Sequence, residues 1–511
     1  MTTAQIGIII AIVVYLAAML VIGAICSKRN KNTDDFYLGG RKLGPFVTAM
    51  SAEASDMSSW LLMGLPGLAY LTGIADAGWT AIGLAIGTYV NWLIVAKRIR
   101  TYSHVAGNSI TIPDFFHNRY RDKSCSLMCI AAVVIIIFFI PYTASGFAAC
   151  GKLFASLFGV EYQTAMLISA VVIVGYTAAG GFLAASTTDF IQSIIMSIAL
   201  LVVLGFGVSV AGGFDAVVQN AREIPGYLSM TLTHDVETDT AQPYGTLTIF
   251  SMLAWGLGYF GMPHILLRFM AIEDKNKLKL SRRVATGWVV ISLFVGVFIG
   301  VVGLAMTDAG ALQTLTGSDS ETIIVKIADL LSQNGFLYAL LAGVILAGIL
   351  ASTMSTADSQ LLAASSSVSQ NLLQGVFKLK LSAKASMIAA RITLIVIAVI
   401  AAFLARDPES SVFGIVSFAW AGFGASFGPV VLMALFWKRS NRYGALAGMI
   451  SGGAMVFIWK YLVRPLGGIW NIYELLPAFL VACLAIVVVS LLTPAPEKEI
   501  TDEFEKVASM K

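Results

Sequence analysis

Long apolar runs dominate this sequence and restrict what it can fold into. A helix that crosses a bilayer needs about 20 apolar residues, and the 511-residue chain contains about thirteen such runs. They lie near 6–26, 46–70, 77–96, 126–150, 163–183, 190–211, 244–268, 286–307, 339–362, 387–405, 412–437, 443–463 and 474–493. Only 12% of the residues are charged, whereas soluble domains carry about 25%. The sequence therefore predicts an all-α polytopic membrane protein with about thirteen transmembrane helices.

The basic residues are divided unevenly between the two sets of loops that alternate along these runs. About 26 of the 33 Lys and Arg residues lie after the first, third, seventh, ninth and eleventh runs and in the tail, and about six lie in the opposite loops. Lys28, Arg29 and Lys31 follow the first run, and Arg268 is assigned to the loop after the seventh. Since cytoplasmic loops carry the positive excess, the pattern predicts an outside N-terminus and a cytoplasmic C-terminus. The first run is too long for a signal peptide, so we expect a transmembrane helix there.

Composition argues against several function classes. The net charge of +4 gives no indication of nucleic-acid binding. The five cysteines lack metal-ligand spacing, so reduced, buried thiols are expected rather than a zinc site. No grouping of His, Cys and Asp residues indicates a catalytic centre, and we expect a protein that is not an enzyme. No obligate protein partner is indicated. The polar loops near 212–243 and 308–338 are long enough for short extracellular helices.

Two of the runs are interrupted near their centres. The second contains Glu53, Asp56 and several serines, followed by a Pro-Gly pair at 66–67. The seventh contains the glycine-rich stretch 255–261, followed by Pro263. Interrupted helices at corresponding positions of two halves indicate the midplane binding site of a transporter, because unwound backbone is tolerated only where it lines a cavity or binds a ligand. Kinks that serve helix packing alone are the competing interpretation.

A row of hydroxyl groups follows one face of the ninth run. Ser352, Ser355, Thr356 and Ser359 have the spacing of one helix face, and Asp358 lies beside them. Hydroxyls opposite freed backbone carbonyls would form an oxygen cage for a small cation. Serine and threonine also mediate close contacts between membrane helices, so packing is the competing interpretation.

Four carboxylates lie at or within the runs, at Glu53, Asp56, Asp189 and Asp358. Charge is costly in hydrocarbon, so such residues indicate function. No basic residue is expected to lie deep enough to pair with them, which favours coupling to a cation or a proton. Asp189 lies near the inner end of the sixth run, so solvation by water at the membrane face is the alternative to a functional role.

Several motifs resemble those of the sodium:solute symporter family, especially its proline-transporting members. The resemblance covers essentially the whole chain. The motifs are Leu-Gly-Gly-Arg at 38–41, Leu-Gly-Pro-Phe at 43–46, Ala-Ser-Asp-Met-Ser at 54–58, Trp-Leu-Leu-Met-Gly-Leu-Pro-Gly at 60–67, Gly-Gly-Phe at 180–182, Trp-Gly-Leu-Gly-Tyr-Phe-Gly at 255–261, Met-Ser-Thr at 354–356 and Trp-Ala-Gly-Phe-Gly at 420–424. The strings at 55–58 and 255–261 are typical of proline members.

The resemblance implies an inverted five-helix-repeat fold of the leucine-transporter type. Its parts would be an extra N-terminal helix (1–30), a first repeat (46–211), a second, inverted repeat (244–437), two C-terminal helices (443–493) and a cytoplasmic tail (494–511). The family implies a multi-pass protein of the plasma membrane, in bacteria the inner membrane. It also implies a symporter that imports L-proline with sodium by alternating access.

The resemblance implies two neighbouring binding sites. The implied sodium-binding residues are Ala54, Met57, Ser352, Ser355 and Thr356. The implied proline-binding residues are Ser58, Gly64, Tyr142, Trp255, Tyr259 and Pro263. Aromatic faces suit a pyrrolidine ring and its ammonium group.

The chain departs from the family pattern at Glu53, where glycine is usual, and at Asp358, where serine is usual. Asp56 resembles the carboxylate required for sodium dependence. Asp189, Asp358 and Ser359 are candidates for a second cation site or a shared proton.

The alternative function is a symporter of the same fold for another amino acid or small organic solute, or one coupled to protons or lithium. A membrane sensor or channel is disfavoured by the short tail and the paired interruptions.

Overall fold

The computed structural model describes residues 2–27 and 33–510, and helices make up most of it. The α-helices are α1 (Thr3–Ser27), α2 (Thr33–Leu38), α3 (Pro45–Ser59), α4 (Leu65–Thr72), α5 (Ile74–Val90), α6 (Ala96–Val105), α7 (Ile112–Arg119), α8 (Ser126–Phe158), α9 (Tyr162–Val210), α10 (Phe214–Glu223), α11 (Thr246–Leu253), α12 (Pro263–Ala271), α13 (Leu278–Asp308), α14 (Ile323–Ser332), α15 (Phe336–Ser366), α16 (Ala383–Leu404), α17 (Val412–Phe436), α18 (Arg442–Ile458), α19 (Leu475–Leu492) and α20 (Lys498–Ser509). Lys28, Arg29 and Lys31 lie outside the described residues.

Short 3₁₀ and π-helical turns connect or continue several of these α-helices. The π-helical turns are Trp60–Gly64, Asn91–Val95, Ser367–Val376 and Trp459–Val463, and the 3₁₀ turns are Gly39–Arg41, Ala254–Gly261, Lys275–Lys277, Gly317–Thr322, Arg464–Leu466 and Gly468–Trp470. Strands β1 (Leu232–Asp235) and β2 (Thr240–Pro243) form an antiparallel hairpin in which Leu232 pairs with Pro243.

The structure confirms a helical protein with many apolar spans, and it supports the predicted number of thirteen only in part. Within the described residues, ten helices are long and apolar enough to cross a membrane, and eleven if the bent pair Thr246–Gly261 and Pro263–Ala271 counts as one span. The predicted runs 46–70 and 163–183 are not among them. The first is polar and is bent at Ser58. The second belongs to α9, in which Tyr162–Gly175 counts as a shorter apolar helix.

Gly181 divides the helix that contains the fifth and sixth predicted runs. The 49 residues of α9 are helical on both sides of Gly181, whose backbone has φ 70° and ψ −179°. A positive φ of this size favours glycine, because other residues would clash with their own backbone. The two runs are thus consecutive helices that meet at this bend rather than helices separated by a loop.

The two long polar loops contain the short helices that were expected. Helix α10 lies in the first loop and α14 in the second, whereas the β1–β2 hairpin was not predicted. Glu321 accepts hydrogen bonds from the N–H groups of Val412 and Phe413 at the start of α17, at 2.9 and 3.0 Å. Its Oε2 also lies 2.9 Å from the Lys152 ammonium. This buried ion pair fixes the second loop against α8 and α17.

Helix α5 and the 3₁₀ turn Ala254–Gly261 approach each other backbone to backbone. An added Cβ at Gly87 would lie 2.3 Å from the carbonyl oxygen of Gly256. One at Gly256 would lie 2.2 Å from the carbonyl oxygen of Gly83. Small residues permit such close approach between membrane helices. The contact places the interrupted seventh run directly beside α5.

Helices α3 and α15 lie in the interior of the bundle. All residues from Thr48 to Ser59 in α3 are buried, as are those from Ile345 to Ser366 in α15. Both helices also contact α9. The polar groups identified in the sequence are therefore enclosed by protein rather than exposed to lipid.

Candidate binding site

The predicted interruption of the second run occurs at Ser58. This residue has φ 49° and ψ −170°, so α3 changes direction one residue before its end. The Trp60 N–H donates to the Ser58 hydroxyl at 3.1 Å, at the start of the π-helical turn Trp60–Gly64. A positive φ is uncommon for a residue other than glycine and stores strain, which is typical of functional sites.

The predicted interruption of the seventh run is also present. Helix α11 ends at Leu253, the chain continues as a 3₁₀ turn to Gly261, and Met262 is extended before α12 begins at Pro263. The two parts of this run form an angle of 48°. Proline suits the first helical turn because its missing N–H would have no partner there.

Four of the predicted sodium ligands lie together between α3 and α15. The Ser355 hydroxyl donates to the Ala54 carbonyl at 2.8 Å. The Thr356 hydroxyl donates to the Ser352 carbonyl at 3.0 Å, and all four residues are buried. Met57 lies at the break in α3, where its carbonyl accepts the Trp60 N–H. The arrangement gathers two hydroxyls and several carbonyl oxygens, the groups that bind hard cations.

Two buried carboxylates on α3 lie beside these oxygens. Asp56 is 5% exposed, and its Oδ2 accepts a hydrogen bond from the Tyr259 hydroxyl at 2.5 Å. Glu53 Oε1 accepts from the Trp92 indole N–H at 2.8 Å. The other oxygen of each carboxylate has no hydrogen-bond partner within residues 2–27 and 33–510. Tyr142 donates to the Asp56 carbonyl at 3.1 Å, which joins α8 to the break.

A small aromatic cavity lies next to Asp56. It is lined by Asp56, Met57, Trp60, Leu84, Tyr142, Trp255, Val416 and Trp420. The Trp60 and Trp255 ring centroids are 5.7 Å apart, and Trp255 stacks on Tyr473 at 4.9 Å. The cavity has room for about one water molecule.

Only some of the six residues expected to bind proline lie at the aromatic cavity. Tyr142 and Trp255 line the aromatic cavity, and Tyr259 reaches it through its bond to Asp56. Ser58 lines an adjoining small cavity that Thr356 also lines. Gly64 faces Phe413, and Pro263 begins α12. Neither lines the aromatic cavity.

Sequence reasoning did not assign Trp60, Leu84, Val416 and Trp420 to the site. Trp60 and Trp420 each lie in a motif that resembles the family, at 60–67 and 420–424, so the sequence did give an indication of both residues. The Trp420 indole N–H donates to the Trp255 carbonyl at 2.8 Å, within the unwound stretch of the seventh run. Leu84 and Val416 are ordinary apolar residues, and nothing in the sequence around them indicates a binding site.

Arg268 pairs with Asp189, so the expectation that no basic residue lies deep enough to pair was wrong. The Nη2 of Arg268 lies 3.1 Å from Asp189 Oδ2, and their side chains are 1% and 0% exposed. Arg268 was assigned to a loop from its distance along the chain, but α12 continues past it to Ala271. Its long side chain therefore extends into the bundle.

Asp358 has a different environment from Asp189. Its Oδ1 accepts a hydrogen bond from the Ser359 hydroxyl at 3.1 Å, and its Oδ2 has no partner in the described part of the chain. Ser359 also receives a hydrogen bond from Arg268 at 2.5 Å. Asp189, Asp358 and Ser359 are thus neighbours, and the Arg268 guanidinium is the positive charge beside them.

The sodium:solute symporter family model matches residues 36–452. The chain is 43% identical to the sodium/proline symporter of Haemophilus influenzae, over 98% of this chain and 97% of that one. It is also 43% identical to the high-affinity proline transporter PutP of Bacillus subtilis (95% and 98% coverage) and 41% identical to the sodium/proline symporter of Escherichia coli (96% and 94%).

Two solved structures have a similar fold. One is the substrate-bound, outward-open state of a Na+-coupled sialic acid symporter, with a TM-score of 0.79, 18% identity, and coverage of 96% of this chain and 99% of that one. The other is MHP1, a nucleobase-cation-symport-1 family transporter in a closed conformation, with a TM-score of 0.54, 12% identity and coverage of 92% and 98%. At these identities the similarity concerns the fold alone.

Proposed function

The chain belongs to the sodium:solute symporter family, and we propose that it is a sodium-coupled symporter that imports L-proline across the bacterial plasma membrane. The observation that carries this proposal is the contact between the Ser355 hydroxyl and the Ala54 carbonyl, at 2.8 Å. It joins the interrupted second run to the hydroxyl face of the ninth, next to an aromatic cavity with a buried carboxylate. Its relatives are transporters rather than enzymes, and we assign no catalytic role to the chain.

The topology that suits this function is the one the sequence predicted. We propose thirteen spans, with the N-terminus outside and the C-terminus in the cytoplasm. The two inverted repeats would cover 46–211 and 244–437, preceded by the helix of 1–30 and followed by the helices of 443–493 and the tail of 494–511. The two interruptions, at Ser58 and at 254–262, begin the two repeats, as expected for inverted halves.

The proposed sodium ligands are the carbonyls of Ala54, Met57 and Ser352 and the hydroxyls of Ser355 and Thr356. In the structure these hydroxyls donate to carbonyls of the same group, with distances of 2.8 and 3.0 Å. A sodium ion would require the hydroxyl hydrogens to turn away, so that the two hydroxyl oxygens face the ion.

Replacing Ser355 by alanine is expected to raise the sodium concentration for half-maximal proline uptake by about tenfold, since one ligand to a charged group is lost. Thr356→Ala is expected to act similarly. Proline affinity at saturating sodium should change much less. Sodium titration of initial uptake rates in proteoliposomes measures both quantities.

Ser352→Ala is the matched control. Its hydroxyl donates to the Ile349 carbonyl at 2.8 Å, and only its backbone carbonyl is a proposed ligand. This variant should keep wild-type sodium dependence. Sodium dependence equal to wild type in both Ser355→Ala and Thr356→Ala would contradict the proposed site.

Proline is proposed to bind near Ser58, Gly64, Tyr142, Trp255, Tyr259 and Pro263. Its carboxylate would face the freed N–H groups of the break, and its ring and ammonium would lie against the aromatic faces. The aromatic cavity has room for about one water molecule, so the surrounding helices must separate before proline enters. Such widening is the outward-open step of an alternating-access cycle.

Transport is driven by the inward sodium gradient. Sodium binds first from outside and orders the break in α3, proline follows, and the two repeats then move so that both ligands leave inward past Asp189. Each sodium that crosses 100 mV releases about 2.3 kcal/mol, equivalent to a concentration ratio of about fifty. Binding of sodium and proline must favour one another reciprocally.

Four further residues are proposed to couple the ion to transport. Asp56 would provide the negative charge that makes transport depend on sodium. Asp189, Asp358 and Ser359 would hold a second cation or share a proton. An unchanged ratio of one sodium per proline in Asp358→Asn would show that Asp358 does not hold a second sodium ion.

Counterflow of labelled proline in proteoliposomes tests the function directly. We expect exchange that requires sodium on both sides and that unlabelled proline inhibits. Exchange driven by another amino acid and not by proline would indicate the alternative substrate. Exchange that is independent of sodium would overturn the coupling.

A further inference from the structure

Helix α20 covers a basic surface on the face that is proposed to be cytoplasmic. Its buried side is formed by Ile500, Phe504 and Val507. The helix packs on α6, and the centroid of the Phe504 ring lies 6.4 Å from that of Tyr102. The sequence of α20, KEITDEFEKVAS, contains four acidic and two basic residues. An acidic amphipathic helix therefore lies over the ends of α6 and α7.

Two arginines beneath α20 face the Phe504 ring. The guanidinium carbons of Arg98 on α6 and Arg119 on α7 lie 5.2 and 5.4 Å from the centroid of this ring. Arg119 is fully buried, and the Tyr102 and Tyr120 rings lie 5.1 and 4.9 Å from its guanidinium carbon. Aromatic faces attract cations, so these rings compensate part of the cost of burying the two charges.

The two guanidiniums keep hydrogen-bond donors that have no acceptor. Arg119 Nε donates to the Ala434 carbonyl at 2.9 Å, but its Nη1 and Nη2 have no partner in the part of the chain that the structure describes. The same holds for Arg98 Nε and for the hydroxyl of Tyr102, which is itself fully buried. Buried donors without an acceptor are rare, because their desolvation is not compensated. These four groups indicate a missing acceptor.

The acidic residues of α20 that lie nearest this surface already have basic partners. Arg121 Nη2 lies 2.6 Å from Glu503 Oε2 and 3.3 Å from Glu499 Oε1. Glu505 pairs with Lys438. The carboxylates of α20 are thus occupied by residues beside the buried arginines and do not neutralise the arginines themselves.

Positive charge is in excess at this surface. Arg98 and Arg119 are electrostatic neighbours that repel each other, and neither forms an ion pair within residues 2–27 and 33–510. Asp122, which follows Arg119 by three residues, accepts hydrogen bonds from Ser124 and Leu127 instead. The charged residues that surround the site are Arg98, Arg119, Arg121, Lys438, Arg439 and Arg442 on the basic side and Asp122, Glu499, Glu503 and Glu505 on the acidic side.

A phosphate group has the chemistry that this surface lacks. It carries negative charge and several acceptor oxygens, and guanidinium groups bind it through paired N–H donors. A phenyl ring offers no comparable acceptor, yet it occupies more space than a phosphate group. The position held by the Phe504 ring could therefore take a phosphate group only after α20 moves away.

We propose that Arg98, Tyr102 and Arg119 form a phosphate-binding site that α20 covers, so that a phosphate group and the Phe504 ring exclude each other. The phosphate group belongs either to a lipid headgroup or to a free phosphate ion. This inference goes beyond the proposed function, since the site lies at the ends of α6 and α7 and contains none of the proposed sodium or proline ligands.

Binding of radioactive inorganic phosphate to the purified full chain in an uncharged detergent tests the proposal. Phe504→Ala removes the ring and keeps the rest of α20. We expect this variant to bind phosphate at least about tenfold more tightly than the wild-type protein, in which the covered state competes with binding. Absence of saturable phosphate binding in Phe504→Ala would overturn the inference.

Arginine variants in the Phe504→Ala background test the assigned residues. Arg98→Gln and Arg119→Gln should each lower phosphate affinity by about tenfold or more, because each removes hydrogen bonds between charged groups. Arg100→Gln is the matched control: Arg100 is also on α6, but its Nε donates to the Ile272 carbonyl at 2.8 Å. Equal affinity in Arg98→Gln and Arg100→Gln would contradict the site, and this comparison holds even if Arg119→Gln does not fold.

Trypsin measures whether phosphate and α20 exclude each other in the wild-type protein. Lys498 and Lys506 are exposed, but cleavage beside them requires α20 to detach and unfold locally. Phosphate should accelerate this cleavage, and chloride at the same ionic strength should not. Equal acceleration by chloride would show that salt only screens ion pairs such as that of Arg121 and Glu503, and the inference would fail.

Short-chain lipids distinguish the two sources of the phosphate group. Displacement of labelled phosphate from Phe504→Ala by phosphatidylglycerol at lower concentrations than by inorganic phosphate would assign the site to an anionic lipid headgroup, as suits a basic pocket at the end of a membrane helix. Displacement by inorganic phosphate alone would assign it to a free ion. Either result supports the site. These measurements use neither sodium nor proline, so their outcome is independent of the proposed function.

Discussion

Asp56→Asn is expected to lower the efficiency of sodium-driven proline uptake by about 100-fold, equivalent to about 2.7 kcal/mol. Asparagine has nearly the same shape and can still accept the hydrogen bond from Tyr259. It removes the negative charge that faces the aromatic cavity and adjoins the proposed sodium ligands. Initial uptake rates measured over a grid of sodium and proline concentrations give the effect on each ligand.

Tyr259→Phe separates the charge from the hydrogen bond. This change removes the donor at 2.5 Å from Asp56 Oδ2 and keeps the carboxylate. Its effect should be about tenfold, as expected for one hydrogen bond to a charged group. If Asp56→Asn transported as well as Tyr259→Phe, the charge of Asp56 would have no part in coupling.

Gly87→Ala and Gly256→Ala are expected to destabilise the protein strongly. Each adds a methyl group within 2.3 Å of a backbone carbonyl oxygen across the contact between α5 and the 254–261 turn. Backbone cannot give way as a flexible side chain can, so the cost should exceed the 1–3 kcal/mol that is typical of overpacking. Thermal unfolding of the purified protein in detergent should show a large fall in Tm or no folded protein.

Gly205→Ala is the control for a helical glycine without a close neighbour. An added Cβ at Gly205 in α9 has no heavy atom within 4 Å, and alanine favours a helix by about 1 kcal/mol over glycine. Its Tm should therefore stay the same or rise. A similar fall in Tm for Gly205→Ala and Gly87→Ala would show that the loss is not due to the backbone contact.

The sequence predicted the two interruptions because their signals are local. A proline and glycines close together in a short stretch favour a break in a membrane helix, and the polar residues Glu53 and Asp56 mark the same place. The position of the break could not be predicted, since Ser58 adopts a positive φ that its residue type does not favour. Only the surrounding packing can impose that conformation.

The pairing of Arg268 depends on tertiary structure that periodicity does not reveal. An arginine at the end of an apolar run is usually solvated, and hydropathy counting assigned Arg268 to a loop. Its burial requires α9 and α15 to enclose the end of α12. The sequence did indicate the partner, because Asp189 was identified as a carboxylate in the wrong environment for a charge.

The span count and the aromatic cavity show two other limits of sequence reasoning. The runs 46–70 and 163–183 were predicted as spans, but the helices that the structure forms there are not among those long and apolar enough to cross a membrane. Trp60 and Trp420 lie far apart in sequence, and nothing in their motifs shows that they face one cavity. Contacts between distant elements determine both features.

The π-helical turn Trp60–Gly64 has a consequence for insertions and deletions. A π-turn holds one residue more than the α-helical turn it replaces, so deleting a residue there would restore an ordinary helix. Everything beyond the deletion would rotate by about 100°. The position of Gly67 next to the Glu321 backbone would then be lost. An added Cβ at Gly67 would lie 2.8 Å from the Glu321 backbone nitrogen, so only glycine fits there. Point substitutions in this turn should be tolerated better than a change of length by one residue.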